Sequence, residues 1–404
     1  MELKSKDLAK ALNMASIVIE RRNTIPILSH VKIEHTGADD MTRFRATNLD
    51  QELAIQAPAV NGAPLSACFN QPDALARLIL AGQGETTVIE QKKEDRKAML
   101  RAGQLAGEVS TLPVDDYPTI THAMSVAFEA ELGADAIDML FRVMGAVSAE
   151  ETRYYLNGLY FHHVEGWTYR AVCTDGHRLY MGTIELPNAQ GMHFDGKGKD
   201  GGVIIPRLAM RQLARLRSFA KKDAPIRFAV GSKSDNGAPS LTEPAKGLPL
   251  ARFVIDAHGF PAELTTKTID GTFPDYTRVV PDYDDSKPQV VFRRADLRRA
   301  LDGITAGMTG RTRAVKLIFD PKGKLTVAAK WVDMGFEGKI EIDAKTRTPQ
   351  GAFEVGFNGA YLRNLLDASR GEELVITTDT DASPGSIVDP AAHDFRAVLM
   401  PMRV

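Results

Sequence analysis

Asp270-Gly271-Thr272-Phe273-Pro274-Asp275-Tyr276-Thr277-Arg278-Val279-Val280-Pro281 is the segment around which this chain is organised. Two prolines and an Asp-Gly pair mark a turn and a seam, since proline removes an amide donor and Asp-Gly favours tight turns. Two aromatics and two adjacent valines nevertheless require an apolar receiver. A shorter echo stands at Ser110-Thr111-Leu112-Pro113-Val114-Asp115-Asp116-Tyr117-Pro118, and the chain closes on Phe395-Arg396-Ala397-Val398-Leu399-Met400-Pro401-Met402-Arg403-Val404. Three seams divide 404 residues into roughly equal thirds, the mark of a triplicated unit.

Between these seams, six segments repeat apolar residues at helical spacing. They are 6–20 (Leu8, Leu12, Ala15, Ile19), 72–81 (Leu75, Leu78, Ile79), 135–148 (Ile137, Leu140, Met144, Val147), 206–222 (Ala209, Leu213, Leu216, Ala220), 295–308 (Leu297, Leu301, Ile304, Met308) and 359–369 (Leu362, Leu365, Leu366). Short apolar or alternating runs precede them: Met1–Leu3, Ser66–Phe69, Val126–Leu132, Val203–Ile205, Val290–Phe292 and Phe353–Phe357. Others follow, such as Thr86–Glu90 with Lys97–Ala102 and Leu325–Ala329 with Gly338–Ile342. Asn70 and Asn358 stand where N-caps belong. The helix starts are spaced by 66, 63, 71, 89 and 64 residues, which predicts two strand–helix–strands units per third. The long interval holds Ser232–Pro261, rich in Gly, Pro and Ser, and Gly196–Gly202 reads as another loop. A run of unrelated α+β domains with chance spacing is the plainer alternative.

A composition of 44% hydrophobic and 25% charged residues is that of a globular protein with ample core. No apolar run reaches the roughly 18 residues of a membrane span. Met1-Glu2-Leu3-Lys4-Ser5-Lys6-Asp7 lacks the apolar centre of a signal peptide, and Cys68 and Cys173 are too few for a disulfide framework. These features lead us to expect a cytoplasmic protein. The net charge of −2 argues against a nucleic-acid partner unless the cations are segregated. They are. From Pro206 to Lys222 stand Arg207, Arg211, Arg215, Arg217, Lys221 and Lys222 with no acid, whereas Arg293, Arg294, Arg298 and Arg299 stand among Asp296 and Asp302. Acids gather at Asp282–Asp285 and Glu372-Glu373. Such a helix face suits a polyanion, although a solvated surface has the same composition.

Catalytic motifs are weak. Asp175 and His177 in Thr174-Asp175-Gly176-His177-Arg178-Leu179 would make an acid–base pair, but Asp-Gly signals a hairpin tip first. His162-His163 has no cluster of metal-ligand spacing around it, and Asp379-Thr380-Asp381 is half a cation loop. No phosphate-binding glycine loop is present. Arg153-Tyr154-Tyr155-Leu156-Asn157-Gly158, an Arg and two Tyr at a strand edge, would lie on sugar-phosphate or on a bound peptide, or simply pack as an amphipathic strand.

Together with Thr24-Ile25-Pro26-Ile27-Leu28, Ser110-Thr111-Leu112-Pro113, Phe273-Pro274-Asp275-Tyr276, Gly356-Phe357-Asn358 and Met400-Pro401-Met402-Arg403-Val404, these motifs run end to end in a family's order. The chain resembles the bacterial sliding clamp, the beta subunit of DNA polymerase III. The resemblance implies an α+β DNA clamp fold of three similar domains, each of two strand–helix–strands units, with helices lining a ring and antiparallel sheets outside. The domains would be 1–123, 124–281 (with inserted loops 188–202 and 232–262) and 282–404. Two chains would pair head to tail around duplex DNA without reading sequence. The protein would be a non-catalytic processivity factor with no cofactor and no metal. Its peptide cleft would comprise Arg153, Tyr155, Leu156, Thr174, Gly176, His177, Arg178, Leu179, Pro274, Val279, Tyr361, Val398, Met400, Pro401, Met402 and Arg403. That cleft would take short segments of the polymerase, the clamp loader and repair proteins. Arg22, Arg153, Tyr154 and Arg207 would face DNA, to which charge adds Arg211, Arg215 and Lys221. The chain departs from the pattern at Thr277, where an Arg is common, at Val404 in place of Leu, and at Gly107, where some members place an interface aromatic. An enzyme using Asp175 and His177, or a peptide-binding adaptor that never meets DNA, are the rival readings.

Overall fold

The computed structural model describes residues 1–20, 23–91, 96–120, 124–191, 201–233, 249–281, 287–308, 313–331, 335–348, 351–390 and 392–404. Arg22, the acidic run at 282–285, the first domain boundary at 123, and the 192–200 and 234–248 parts of the two inserted loops lie outside them.

The apolar periodicity does form six helices, each starting within one residue of its expected position: α1 Ser5–Ala15, α2 Pro72–Ala81, α3 Ala134–Val143, α4 Arg207–Arg217, α5 Arg294–Ile304 and α6 Gly359–Ala368. Except for α2, which ends at Ala81 as expected, their ends come earlier than the periodicity suggests. After α1 the Ile17 and Val18 amides donate to Met14 and Ala15, three residues back, and both side chains are buried. The apolar pattern thus outlasts the helix by one tightened turn. Asn358 caps α6, its Oδ1 accepting from the Ala360 amide at 3.0 Å. Asn70 does not cap α2. Gln71 takes the cap position with φ of 46°, and Pro72 fills the first turn, where a missing amide costs nothing. Asn70 instead accepts the Ser29 hydroxyl.

The chain divides into two compact units, 1–137 with 186–196 and 205–270, and 138–185 with 197–204 and 271–404. Each carries a twelve-stranded sheet whose described pairings are antiparallel. The first sheet runs Glu2–Lys4, Thr86–Gln91, Lys97–Ala102, Leu105–Leu112, Leu65–Asn70, His30–His35, Met41–Thr47, Gln51–Pro58, Pro261–Lys267, Leu250–Asp256, Ile226–Lys233 and Met124–Leu132. The second runs Val203–Pro206, Gly158–Glu165, Thr168–Thr174, Arg178–Glu185, Ala392–Leu399, Gly385–Asp389, Glu373–Thr377, Gln289–Arg293, Phe336–Arg347, Lys324–Trp331, Ala314–Asp320 and Phe353–Asn358. The middle third of the sequence therefore contributes strands to both sheets. Its joins are Ile55 opposite Ala262 in the first sheet and Leu179 opposite Val398 in the second.

In the first unit α1 packs on α2, and Phe228 stacks on Phe253 at 4.9 Å. In the second α5 packs on α6, and Phe161 stacks on Tyr169 at 5.4 Å. Each fully buried aromatic of this kind contributes about 2–3 kcal/mol of apolar transfer. The 271–281 stretch finds its apolar receiver in the second unit. Phe273 stacks on Tyr160 at 4.7 Å, and the Tyr276 hydroxyl meets His162 Nε2 at 2.9 Å. The echo at 110–118 repeats the device in the first unit, where buried Tyr117 places its hydroxyl between the carbonyls of His30 and Arg45.

Candidate functional site

Thr168–Thr174 and Arg178–Glu185 form the expected hairpin, and the polar residues of its tip hold each other. Thr174 Oγ1 donates to the Arg178 carbonyl at 2.7 Å and accepts the Gly176 amide. Asp175 accepts the amides of His177 and Arg178 through Oδ1 and Arg178 Nε through Oδ2. Its carboxylate is committed to the turn, which favours the hairpin reading over an acid–base pair. Gly176 has a φ of 88°, a backbone conformation that favours glycine, and a Cβ there would lie 2.5 Å from the tip of the Arg153 side chain. Arg153 is held by Glu150 through Nε at 2.8 Å, and that hydrogen bond keeps the Glu150 carboxyl below its ordinary range.

The guanidinium of Arg178 lies 4.4 Å over the Tyr361 ring, and the His177 ring stands 6.4 Å from the same ring. Burial pushes the Tyr361 phenol up. The C-terminal residues close this arrangement. The Met400 amide donates to the His177 carbonyl and the Met402 amide to the Gly356 carbonyl, both at 2.9 Å. A Cβ at Gly356 would meet the Met402 carbonyl at 2.2 Å. Beside the tail runs a groove of 620 Å³ lined by Lys316, Glu354, Gly356, Asp381 and Pro401 to Val404.

Arg153, Thr174, Gly176, His177, Arg178, Tyr361 and Met400 thus meet through contacts of their own, with Pro401, Met402 and Arg403 in the adjoining groove. Leu156, Leu179 and Val398 are only 3%, 3% and 0% exposed, so they form core beneath the surface. Pro274 is exposed and Val279 half-buried on the 271–281 stretch. Tyr155 meets that stretch at Gly271, where a Cβ would approach its own Cβ to 2.9 Å. Glu151 to Leu156 form tight turns kinked at Arg153, which has a non-helical backbone, ahead of a strand rather than a strand edge, and Tyr154 is 54% exposed. Glu150 is absent from the residues the sequence singled out, and Gly356 stood there only as part of a family motif. Glu150 was legible as an acid three residues before Arg153.

The basic helices differ in a way that composition does not reveal. α4 buries Ala209, Met210, Leu213 and Leu216 and presents Arg211 and Arg215 to solvent, with Arg207 half-buried and Lys221 exposed just beyond. Among the described residues no ion pair engages Arg207, Arg211 or Arg215. On α5, by contrast, Arg298 pairs with Asp302 and with Asp367 at 2.8 Å, Arg299 pairs with Asp296, and Arg294 donates to the Gly371 carbonyl. The His162-His163 pair is absorbed by packing, since His162 meets the His163 carbonyl and the Tyr276 hydroxyl.

Residues 1–121 match the family model of the DNA polymerase III beta subunit N-terminal domain, and 135–275 match that of its central domain. The chain belongs to the DNA polymerase III beta subunit family, the beta sliding clamps. It is 32% identical over 98% of both chains to the beta sliding clamp of Caulobacter vibrioides. Among solved structures it resembles the sliding clamp of Pseudomonas aeruginosa with ligand, at 25% identity and a TM-score of 0.84 over 100% of this chain and 99% of that one. It also resembles the sliding clamp of Bartonella birtlesii bound to griselimycin, at 27% identity and a TM-score of 0.82 over 100% and 99%. The fold is the clamp fold, α+β with antiparallel sheets. Sliding clamps are non-catalytic processivity factors of DNA polymerase, and this chain is a DNA replication protein of that kind. Among the described residues no helix is long and apolar enough to cross a membrane.

Proposed function

We propose that two copies of this chain close head to tail into a ring around duplex DNA, tethering a replicative polymerase without reading sequence. The ring is built from three similar domains per chain, 1–123, 124–281 and 282–404, and works in the cytoplasm. α4 is the observation that carries the DNA reading. Arg207, Arg211 and Arg215 stand on α4 with its apolar stripe turned inward, Lys221 follows just beyond it, and among the described residues no ion pair engages the three arginines, so they are available to phosphates. On the family's pattern Arg22, Arg153 and Tyr154 would also contact DNA. Two strand edges support pairing of copies. Among the described residues, Leu105 to Ser110 have a neighbour on one side only, and so do Phe336 to Asp343, while open edges of this length are normally covered.

The polymerase, the clamp loader and repair proteins dock through a short extended peptide carrying a Gln and two bulky apolar residues. It seats against Arg153, Tyr155, Thr174, Gly176, His177, Arg178, Pro274, Val279, Tyr361, Met400, Pro401, Met402 and Arg403, over a floor of Leu156, Leu179 and Val398. Methionine suits a site that must repack around several partners.

Loading onto nicked circular DNA tests the ring. Retention on the circle and release after linearisation is the expected result, with a solution mass twice 44.1 kDa. Equal retention on both, or none on either, turns the reading to an adaptor that does not encircle DNA.

A further inference from the structure

The family's pattern gives Arg153 two partners, the docked peptide and DNA, and the surroundings of this side chain favour one of them. Glu150 Oε2 accepts Arg153 Nε at 2.8 Å and Nη2 as well, the two-pronged pairing that fits a guanidinium to a carboxylate. A surface pair is usually weak, because two long side chains must be stilled to make it. Here the turn stills the acid. Glu150 Oε1 accepts the Thr152 hydroxyl at 3.0 Å, its amide donates to Ser148 Oγ at 3.1 Å, and its carbonyl accepts Asn157 Nδ2 at 3.0 Å. Ser148 is buried, and its own amide donates to the Leu156 carbonyl.

The Nε and Nη2 edge of Arg153 is thus spent on Glu150. Nη1 is left, and it lies against the 174–178 turn, 2.5 Å from where a Gly176 Cβ would stand. Among the described residues no acceptor takes its two N–H groups. The next two residues of that turn, His177 and Arg178, carry the side chains that meet Tyr361. Nη1 is therefore a free donor beside the cleft. A phosphate could take the paired edge only by displacing a carboxylate, and the Glu150 charge would stand against it. The arginines of α4 are in the opposite condition, with no ion pair at Arg207, Arg211 or Arg215 among the described residues.

We propose that Glu150 is a positioning residue that withdraws Arg153 from DNA and holds its Nη1 ready for a carbonyl or carboxylate oxygen of the docked peptide. The chain then departs from the family's pattern at Arg153, and peptide and DNA do not compete for this guanidinium. The inference rests on the function proposed above and divides the cations between its two partners.

The test compares the full-length parent with Glu150→Gln, Arg153→Ala and the double variant. Calorimetry reads the dissociation constant of a synthetic peptide carrying a Gln and two bulky apolar residues. Titration with a short DNA duplex at several salt concentrations reads the slope. Arg153→Ala is expected to raise the peptide dissociation constant about threefold or more and to leave the slope as it is in the parent. Glu150→Gln, whose amide carries no charge, is expected to raise the constant as well and to steepen the slope by about one unit, because the released guanidinium becomes available to a phosphate. In the Arg153→Ala background Glu150→Gln is expected to change neither. A carboxylate that served only the turn would lower the melting temperature and leave the slope alone. An Arg153→Ala variant that flattens the slope by about one unit places the residue on DNA and overturns the proposal. So does a Glu150→Gln variant that leaves either readout unchanged, or one whose effects survive the loss of Arg153. A parent that fails to bind the peptide or the duplex overturns instead the function on which the proposal rests.

Discussion

The Met400 amide donates a 2.9 Å hydrogen bond to the His177 carbonyl, so the last residues of the chain are fastened to the tip of the 174–178 turn. The strand that precedes them, Ala392–Leu399, is already secured by Arg178–Glu185 on one side and Gly385–Asp389 on the other. The tail beyond Leu399 therefore adds surface at the turn more than it adds sheet.

Deleting Met400 to Val404 should accordingly abolish binding of a Gln-containing apolar peptide, with removal of the anchors costing at least about 2 kcal/mol. The dimer should remain intact. Calorimetry on truncated and full-length protein checks this. A lowered melting temperature with unchanged peptide affinity assigns the tail to strand completion alone.

Gly176→Ala should destabilise the second unit by about 1 kcal/mol, since alanine rarely adopts a φ of 88° and would displace the tip of Arg153. Peptide affinity should fall with it as the turn that carries His177 and Arg178 shifts. Urea denaturation and calorimetry read the two effects. A variant as stable as the parent would show that the turn relaxes freely.

Replacing Arg207, Arg211 and Arg215 by Ala should flatten the salt dependence of DNA association by about one unit of slope for each phosphate no longer neutralised. The same change at Arg298 and Arg299 should leave the slope nearly unaltered, because Asp302, Asp367 and Asp296 already pair with them. Equal effects from the two helices would remove the distinction drawn between them.

Burial lowers the pKa of His30 from its ordinary 6.5, only partly opposed by its hydrogen bond to the Pro26 carbonyl. The folded chain keeps this ring neutral when the unfolded chain already takes up a proton. Stability from this group is therefore present above about pH 6.5 and declines as pH falls from there toward the folded pKa, at up to ~1.4 kcal/mol per pH unit. His30→Gln should weaken the fall in urea-measured stability between pH 7 and 5. An unchanged pH profile would mean that His30 is not the group responsible.

Whatever depends on a few consecutive residues was legible in the chain alone. All six helix starts, the Thr174 to Leu179 hairpin tip and the Asn358 cap follow from spacing, Asp-Gly chemistry and a side-chain oxygen near free amides. Even the exception at Asn70 is local, since Pro72 already supplies what a cap would. Folding alone settles which cations remain available and which apolar residues reach the surface. Arg211 and Arg298 look alike in composition, yet Arg298 finds Asp367, 69 residues away, and Arg211 finds no acid among the described residues. Leu179 and Val398 look like lining until their strands pair and bury them. Tyr361 becomes the seat of Arg178 only when α6 and the hairpin come together. Local signals are written in chain order. A charge, a ring or a glycine acquires its role from neighbours that only the folded sheets bring within reach.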